Sequence, residues 1–479
     1  MTTGTTHTIK FYDKAQPIVT RSVKGKFRNF KSFVLVLAYS IYFGLPWLPW
    51  HRIDAASQAV MFDLDSRRFF IFDLVVYPQN VFWLAILLFI AAVILFFATT
   101  LIGRAFCGYF CFQTLWTDLF IWVEQFIQGE RPARLRLKKQ AWDAEKILKV
   151  GGTHLVWLLI AFWTGMTFVL YYGYAPDLLH RFFIGQAATA AYIGVIGLML
   201  STYAAAAFMR EQICAYVCPY GRFQSVMYEA ETLAVAYDVR RGEGEKGRIS
   251  PKGDLKDRTN RVAQGHGDCI DCGFCVQVCP AGIDIREGLQ YRCISCGLCI
   301  DACNNIMDSM GYPQGLIRYD SEANLAQDKP KPAAVSWKRW KVAGYLTAIL
   351  VMTAGLFYSV HERTEFEVSV QQIRQPLFVI LSSGEVRNRY QIHLTNKTDH
   401  NVVYSITAKN LPANALDIGA MQNVTVHSGK SVIVQASVKL QPELADKYKN
   451  FEFVIQSLTN PADKSVEAAS FYNEHPDTN

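Results

Sequence analysis

Charge is scarce in this chain. Of 479 residues only 19% are Asp, Glu, Lys or Arg, against 51% hydrophobic and 13% aromatic. That balance excludes a disordered polyelectrolyte and an ordinary soluble globule, and it points to a membrane protein with soluble parts. The net charge of +7 is no sign of a nucleic-acid partner, and none is expected, because membrane proteins concentrate Lys and Arg on their cytoplasmic loops. Histidine is also sparse, with ten in all. His51, His154, His180 and His361 stand at the ends of apolar runs, none paired at ligand spacing within one, so no di-haem pattern is present. Each reads as a hydrogen-bonded or solvated interfacial side chain. No A-x-A cleavage site follows the first apolar segment, which therefore reads as a retained span. No cysteine lies beyond Cys303, so no disulfide is expected to hold the C-terminal part.

What the chain does have is eight cysteines between Cys269 and Cys303, in two runs of identical spacing. The first is Cys269-x2-Cys272-x2-Cys275-x3-Cys279, followed by Pro280; the second is Cys293-x2-Cys296-x2-Cys299-x3-Cys303. Three thiolates two residues apart wrap one face of a 4Fe–4S cube, and the fourth lies too far along to close the same cube. In two-cluster ferredoxins it ligates the other cluster. One 4Fe–4S cluster is thus expected on Cys269, Cys272, Cys275 and Cys303, and a second on Cys293, Cys296, Cys299 and Cys279. Gly273, Gly297, Asp271 and Ser295 lie between ligands and let backbone amides approach the sulfides. Structural zinc favours separated pairs of cysteines, and disulfides need an oxidising compartment.

Five apolar runs are long enough to span a bilayer: about 32–50, 80–102, 154–173, 187–209 and 340–360. The segment 131–149 carries Arg131, Arg134, Arg136, Lys138, Lys139, Lys146 and Lys149, which marks it as cytoplasmic. Counting spans from there places the N-terminus and the cysteine runs in the cytoplasm and the C-terminal part outside. The organisation expected is a cytoplasmic basic tail over 1–31, a four-helix membrane domain over 32–230, a cytoplasmic two-cluster ferredoxin-like domain with linkers over 231–339, a fifth transmembrane helix over 340–360, and a periplasmic domain over 361–479. Within these, 51–78 suggests a short external hairpin and 240–265 a mobile Gly- and charge-rich loop. In 361–479 short alternating runs such as RYQIHLTN and SVIVQASVKL, separated by turn residues, predict an immunoglobulin-like β-sandwich of about seven strands.

Two further pairs, Cys107 with Cys111 and Cys214 with Cys218, follow the second and fourth spans at C-x3-C spacing. Residues four apart share a helix face, so each pair can chelate one soft metal ion or form a disulfide. Arg104 and Arg210, one turn earlier, are expected to lower the thiol pKa. The two segments look like an internal repeat, and if the halves pack side by side four thiolates converge. Soft thiolates select Cu(I), zinc or iron–sulfur, and beside electron-carrying clusters copper is the economical choice. A third cluster, or plain packing between helices, are the other readings.

With five spans, CGYFCFQTLWTD, CAYVCPYGRFQS, the eight-cysteine run leading to GYPQGLIRYD and the trailing β domain all in place, the chain resembles the FixG/RdxA/CcoG-type cytochrome c oxidase accessory proteins. The resemblance implies a polyferredoxin-like protein of the bacterial inner membrane that assists assembly of a cbb-type oxidase, working with that oxidase or its assembly factors. It implies a cupric reductase that turns Cu(II) into Cu(I) for the oxidase, with the eight ferredoxin cysteines as cluster ligands and Cys107, Cys111, Cys214 and Cys218 as the copper or redox site. An unidentified cytoplasmic electron donor is needed, membrane lipid surrounds the spans, and a homo-oligomer is left open. Two rival readings stand beside it: a quinol-oxidising subunit feeding a periplasmic reductase, and a non-enzymatic copper chaperone or assembly scaffold.

Overall fold

The computed structural model describes residues 18–51, 57–64, 68–77, 80–327, 332–361, 366–398, 400–412, 414–419, 423–445, 447–461 and 463–473. Residues 1–17 of the expected basic tail lie outside them. The chain divides into two compact units, with the division near Ala354, and each is described by itself.

The first unit is mostly helical. Its helices are α1 (Lys26–Gly44), α2 (Val81–Ile102), α3 (Ala105–Tyr109), α4 (Phe112–Gln128), α5 (Arg131–Lys139), α6 (Ala144–Leu170), α7 (Ala175–Phe183) and α8 (Thr189–Tyr203). Two π-helical stretches, Ala204–Met209 and Ile213–Val217, run on towards α9 (Pro219–Met227). Short helices α10 (Val239–Glu243), α11 (Arg258–Ala263), α12 (Phe274–Gln277), α13 (Leu298–Met310) and α14 (Glu322–Leu325) belong to the cysteine-rich region, and α15 (Trp340–His361) follows. Five helices among the described residues are long and apolar enough to cross a membrane: Lys26–Trp47, Val81–Ile102, Ala144–Leu170, Thr189–Met209 and Trp340–His361. Their outward faces carry exposed Leu, Ile and Phe, as in Phe33, Leu87, Phe89, Leu159 and Leu350, which only a lipid solvent tolerates in such number.

Three expectations change here. The first span begins at Lys26, inside the supposed tail, because Asp301 accepts from the backbone N–H groups of Phe27 and Arg28 (3.3 and 2.8 Å) and caps the helix. The surface hairpin is a three-stranded antiparallel sheet of β1 (Val60–Asp63), β2 (Arg68–Ile71) and β3 (Leu74–Val76). The loop expected to be mobile over 240–265 contains ordered turns around Arg261, whose side chain is fully buried. That guanidinium donates to the carbonyls of Gly267 and Cys269, 2.5 and 2.7 Å away, and to that of Ile249.

In the cysteine-rich region β4 (Ala234–Tyr237) pairs antiparallel with β5 (Ile317–Asp320). Val235, Tyr237, Leu316 and Ile317 then pack with Ile300 and Met307 of α13 behind the first cysteine run.

The second unit is a β-sandwich. Its strands are β6 (Phe366–Gln372), β7 (Val379–Ile380), β8 (Val386–Asn396), β9 (Val402–Lys409), β10 (Leu416–Asp417), β11 (Asn423–Val426), β12 (Ser431–Leu440), β13 (Asn450–Ser457) and β14 (Lys464–Ser470). One sheet has the order β10-β12-β8-β6 with β7 beside β8, and the other β11-β9-β13-β14. Strict alternation along β8 turns Tyr390, Ile392 and Leu394 inward against Tyr404 and Ile406 of β9 and Phe453 and Ile455 of β13. The described strands number nine against about seven expected. Two have only two residues, and β14, KSVEAAS, lacks the bulky alternation that marks a strand in sequence.

Candidate metal centre

The two cysteine runs fold alike. Asp271 and Gly273 in the first, Ser295 and Gly297 in the second, all have left-handed backbone (φ 53°, 63°, 50° and 71°). That repeated left-handed turn curls successive N–H groups towards one centre, which makes an anion-binding nest; the N–H of Ser295 already points at Cys293 Sγ, 3.4 Å away. Gly297 also admits Phe27, whose ring a Cβ there would meet at 2.7 Å.

Two cavities lie between the runs. One is lined by Cys269, Cys272, Cys275 and Cys303. The other is lined by Cys279, Cys293, Cys296 and Cys299, with Cys275 at the shared edge. The fold thus gathers the cysteines in the crossed sets, each run lending its fourth member to the other. Among the described residues no three Cys, His, Asp or Glu side chains close to the distance of a single metal ion. Four cysteines around each of two cavities suit a pair of iron–sulfur clusters. Burial pushes the thiols of Cys279 and Cys303 up to about 12 and those of Cys275 and Cys293 up to about 11. Neighbouring arginines and backbone N–H groups offset burial only in part, and a bound cation would favour the thiolate there. Cys272 is the exposed member of the eight, so the first cavity has a ligand at the surface, while in the second set Cys279 and Cys299 are half-buried and Cys293 and Cys296 buried.

The four remaining cysteines come from two halves that repeat at a constant offset of 107 residues, the separation of Cys107 from Cys214. The same offset carries α2 onto the helix ending at Met209, and the start of α4 onto the start of α9. Cys111 and Cys218 both sit in extended conformation just before the next helix. Gly103 (φ 57°, ψ −128°) and Arg210 (φ 38°, ψ −114°) share one unusual turn. The repeat therefore equates Arg210 with Gly103 and Arg104 with Glu211, not Arg104 with Arg210. Cys107 is electrostatically close to Cys111 and Cys214, and Cys214 to Cys111 and Cys218, so the halves set these thiols near one another, but among the described residues no three of them close to the distance of a single metal ion.

The arginines do not lower Cys107 or Cys214 on balance. Burial pushes Cys107 up to about 12 and Cys214 up to about 11, outweighing Arg104 in both. Arg210 is instead paired with Glu124 at 2.7 Å. Cys107 Sγ donates to Gln224 Oε1 at 3.5 Å, and Thr114 Oγ1 donates to the Cys107 carbonyl at 2.6 Å.

The helix that carries Cys107 lies directly on the second cysteine run. A Cβ on Gly108 would meet the Ile294 carbonyl oxygen at 2.7 Å and Cys296 Cα at 2.9 Å. Tyr109 Oη donates to the Cys296 carbonyl at 2.8 Å. The buried Arg104 guanidinium donates to the carbonyls of Tyr291 and Gly221, and so ties the approach to Cys293 to the helix after Cys218. Asp118 accepts from Arg28 (2.9 Å) and from the buried Lys31 (3.2 Å). Asn304, where a proline follows the fourth cysteine in the first run, accepts from the Gly315 N–H at 3.0 Å. Sequence reasoning missed Gly108, Tyr109, Asp301 and Arg261, for their roles depend on contacts more than a hundred residues away or on a loop that reads as mobile. The helical phase of Gly108, next to Cys107, was the one available hint.

Cysteines gathered for iron–sulfur clusters, apolar spanning helices and a separate β-sandwich define a membrane iron–sulfur electron-transfer protein. A 4Fe–4S dicluster domain model matches residues 209–322, a 4Fe–4S binding domain model matches 83–132, and a model described as the IG-like fold at the C-terminus of FixG, putative oxidoreductase, matches 356–473. Protein RdxA of Cereibacter sphaeroides is 43% identical over 393 residues, 80% of each chain. Protein RdxB of the same organism is 40% identical over 412 residues, 85% of each chain. The nitrogen fixation protein FixG of Rhizobium meliloti is 37% identical over 435 residues, 85% of this chain and 82% of that one. The chain belongs to the FixG/RdxA family.

Proposed function

We propose that this protein reduces Cu(II) to Cu(I) at the thiol quartet and delivers the product to a cbb-type cytochrome oxidase under assembly. The observation that carries the reading is the packing of α3 on the second cysteine run, which sets Cys107 one residue from a backbone contact with Cys296. Two 4Fe–4S clusters held by Cys269, Cys272, Cys275 and Cys303, and by Cys293, Cys296, Cys299 and Cys279, supply one-electron transfer. The exposed Cys272 suits docking of a soluble donor, and the second set, with no exposed member, packs against the helix that carries Cys107, so electrons run inward from Cys272 to Cys107. Each Cu(II) takes one electron. Thiolate ligation then favours Cu(I) over Cu(II), and each thiol that binds loses its proton to water.

The sidedness proposed is N-terminus and cysteine runs in the cytoplasm, because the basic segment 131–149 belongs there, with the sandwich domain in the periplasm of a bacterial inner membrane. The test is the Cys214→Ser/Cys218→Ser protein, purified anaerobically with a full iron and sulfide count. We expect its dithionite-reduced clusters to be reoxidised by Cu(II) at least about tenfold more slowly than wild type. Undiminished copper binding and reoxidation would remove the thiol site from the mechanism.

A further inference from the structure

A wide groove, about 660 Å³ in volume, opens beside the start of α6 and the end of the second repeat, and none of the chemistry above uses it. Its volume lies in the range of small-molecule sites. Arg134, Lys138, Lys146 and Arg210 line it against only Glu124 and Glu211. Arg134 and Arg210 both bond the one carboxylate of Glu124, at 3.0 and 2.7 Å, so positive charge is left over. Arg134 is 2% exposed and its Nε has no hydrogen-bond partner among the described residues. Burial in the groove pushes the Lys138 ammonium down, Glu124 partly offsets this, and Arg210 and Arg134 push it further down. These cations are arranged to receive negative charge, and a bare divalent cation is repelled at the mouth. The walls are flat and apolar, formed by Trp142, Trp157 and Phe208.

Glu211 lines this groove and also the small cavity, about 40 Å³, that reaches Cys214. Its carboxylate is half-buried and has no hydrogen bond or ion pair among the described residues, while its charge is felt at Cys214. In the first half of the repeat the equivalent position is Arg104.

We propose that the groove docks the copper substrate as an anionic oxygen-donor chelate, and that Glu211 takes the metal from the chelate and hands it to Cys214. The inference rests on the copper-reduction reading. Oxygen ligands suit Cu(II) and thiolates suit Cu(I), so a carboxylate ahead of the thiols matches the order in which the ion changes state. Cu(II) leaves the chelate's oxygens for the carboxylate, takes one electron from the reduced iron–sulfur chain, and is bound by thiolate as Cu(I). The chelator leaves with its charge, and the thiol proton goes to water.

Binding is measured by quenching of tryptophan fluorescence in the full-length protein with oxidised clusters, using Cu(II)–nitrilotriacetate, a monoanion, and Cu(II)–diethylenetriamine, a dication. We expect the monoanion to bind about tenfold more tightly at low salt, with the advantage shrinking as salt is raised. Lys138→Glu should erase that preference. Arg136→Gln, on the same helix but outside the groove, should keep it. Glu211→Gln should bind the monoanion as wild type does, yet reoxidise reduced clusters about tenfold more slowly at saturating chelate. Equal affinity for the two chelates, or a Lys138→Glu protein that still prefers the monoanion, would overturn the docking site, and wild-type turnover in Glu211→Gln would overturn the relay. Selective binding without any reoxidation of reduced wild-type clusters would leave the docking site standing and remove the reduction reading.

Discussion

Asp118 shows how single residues hold the helices of the first unit together, here α4 to α1. It is buried, accepts from Arg28 and from the buried Lys31, and stands two turns into α4. Removing one partner of a buried pair strands the other, at a cost of roughly 3–5 kcal/mol, whereas replacing both with apolar groups is often near neutral. Asp118→Ala, which strands Lys31, should therefore lower the thermal midpoint more than Lys31→Met, after which Arg28 still neutralises the carboxylate. The double variant Lys31→Met/Asp118→Leu should recover most of the loss in a detergent melt. Gly108 makes a sharper case, because its neighbours across the junction are backbone atoms that cannot swing aside. Gly108→Ala should keep its iron count but pass electrons from reduced clusters to Cu(II) at least about tenfold more slowly. A stopped-flow trace matching wild type would mean that the α3 contact is mere packing. The sequence makes the eight ligands plain because spacing alone encodes their wrap, but it hides Gly108, whose requirement comes from Ile294 and Cys296.

At the scale of elements, the repeat was half legible. C-x3-C after an apolar run appears twice in the sequence, and the packing of the halves follows. The register did not, because two arginines near the cysteines invite the wrong equivalence and only the shared backbone turn at Gly103 and Arg210 corrects it. A non-glycine residue in that region carries strain of order 1–3 kcal/mol. The strain argues that the Arg210 side chain has work to do, holding Glu124 and bordering the groove. Both Arg210→Gly and Arg210→Ala lose the guanidinium, but only glycine relaxes the turn. Arg210→Gly should be the more stable of the two by about 1 kcal/mol or more, read as a difference in denaturation midpoints. Equal stabilities would mean the turn is unstrained. The loop over 240–265 failed in sequence for a different reason: its glycines and charges have the composition of a mobile segment, yet one buried arginine, Arg261, organises it through backbone carbonyls.

The whole molecule divides into two compact units on one chain. The sandwich was legible because its strands alternate faithfully, and its weak edges, β10 and β14, were not, because short or polar edge strands carry little of that signal. Its core is complete within itself: Ile392, Leu394, Ile406, Phe453 and Ile455 are all fully or nearly fully buried against one another. It contains no cysteine, so it lends no thiolate to either cluster. Truncating Ile392 to Ala removes a fully buried side chain from the middle of β8 and should cost about 2–5 kcal/mol. For a domain of this size that lowers the midpoint of its own transition by on the order of 10 °C or more. If the two units are energetically separate, iron content, the EPR of the reduced clusters and the unfolding of the helical unit should match wild type in the same sample. Loss of iron in step with the sandwich transition would show instead that the cysteine-rich region depends on the C-terminal domain, and the metal chemistry would then belong to the chain as one cooperative body.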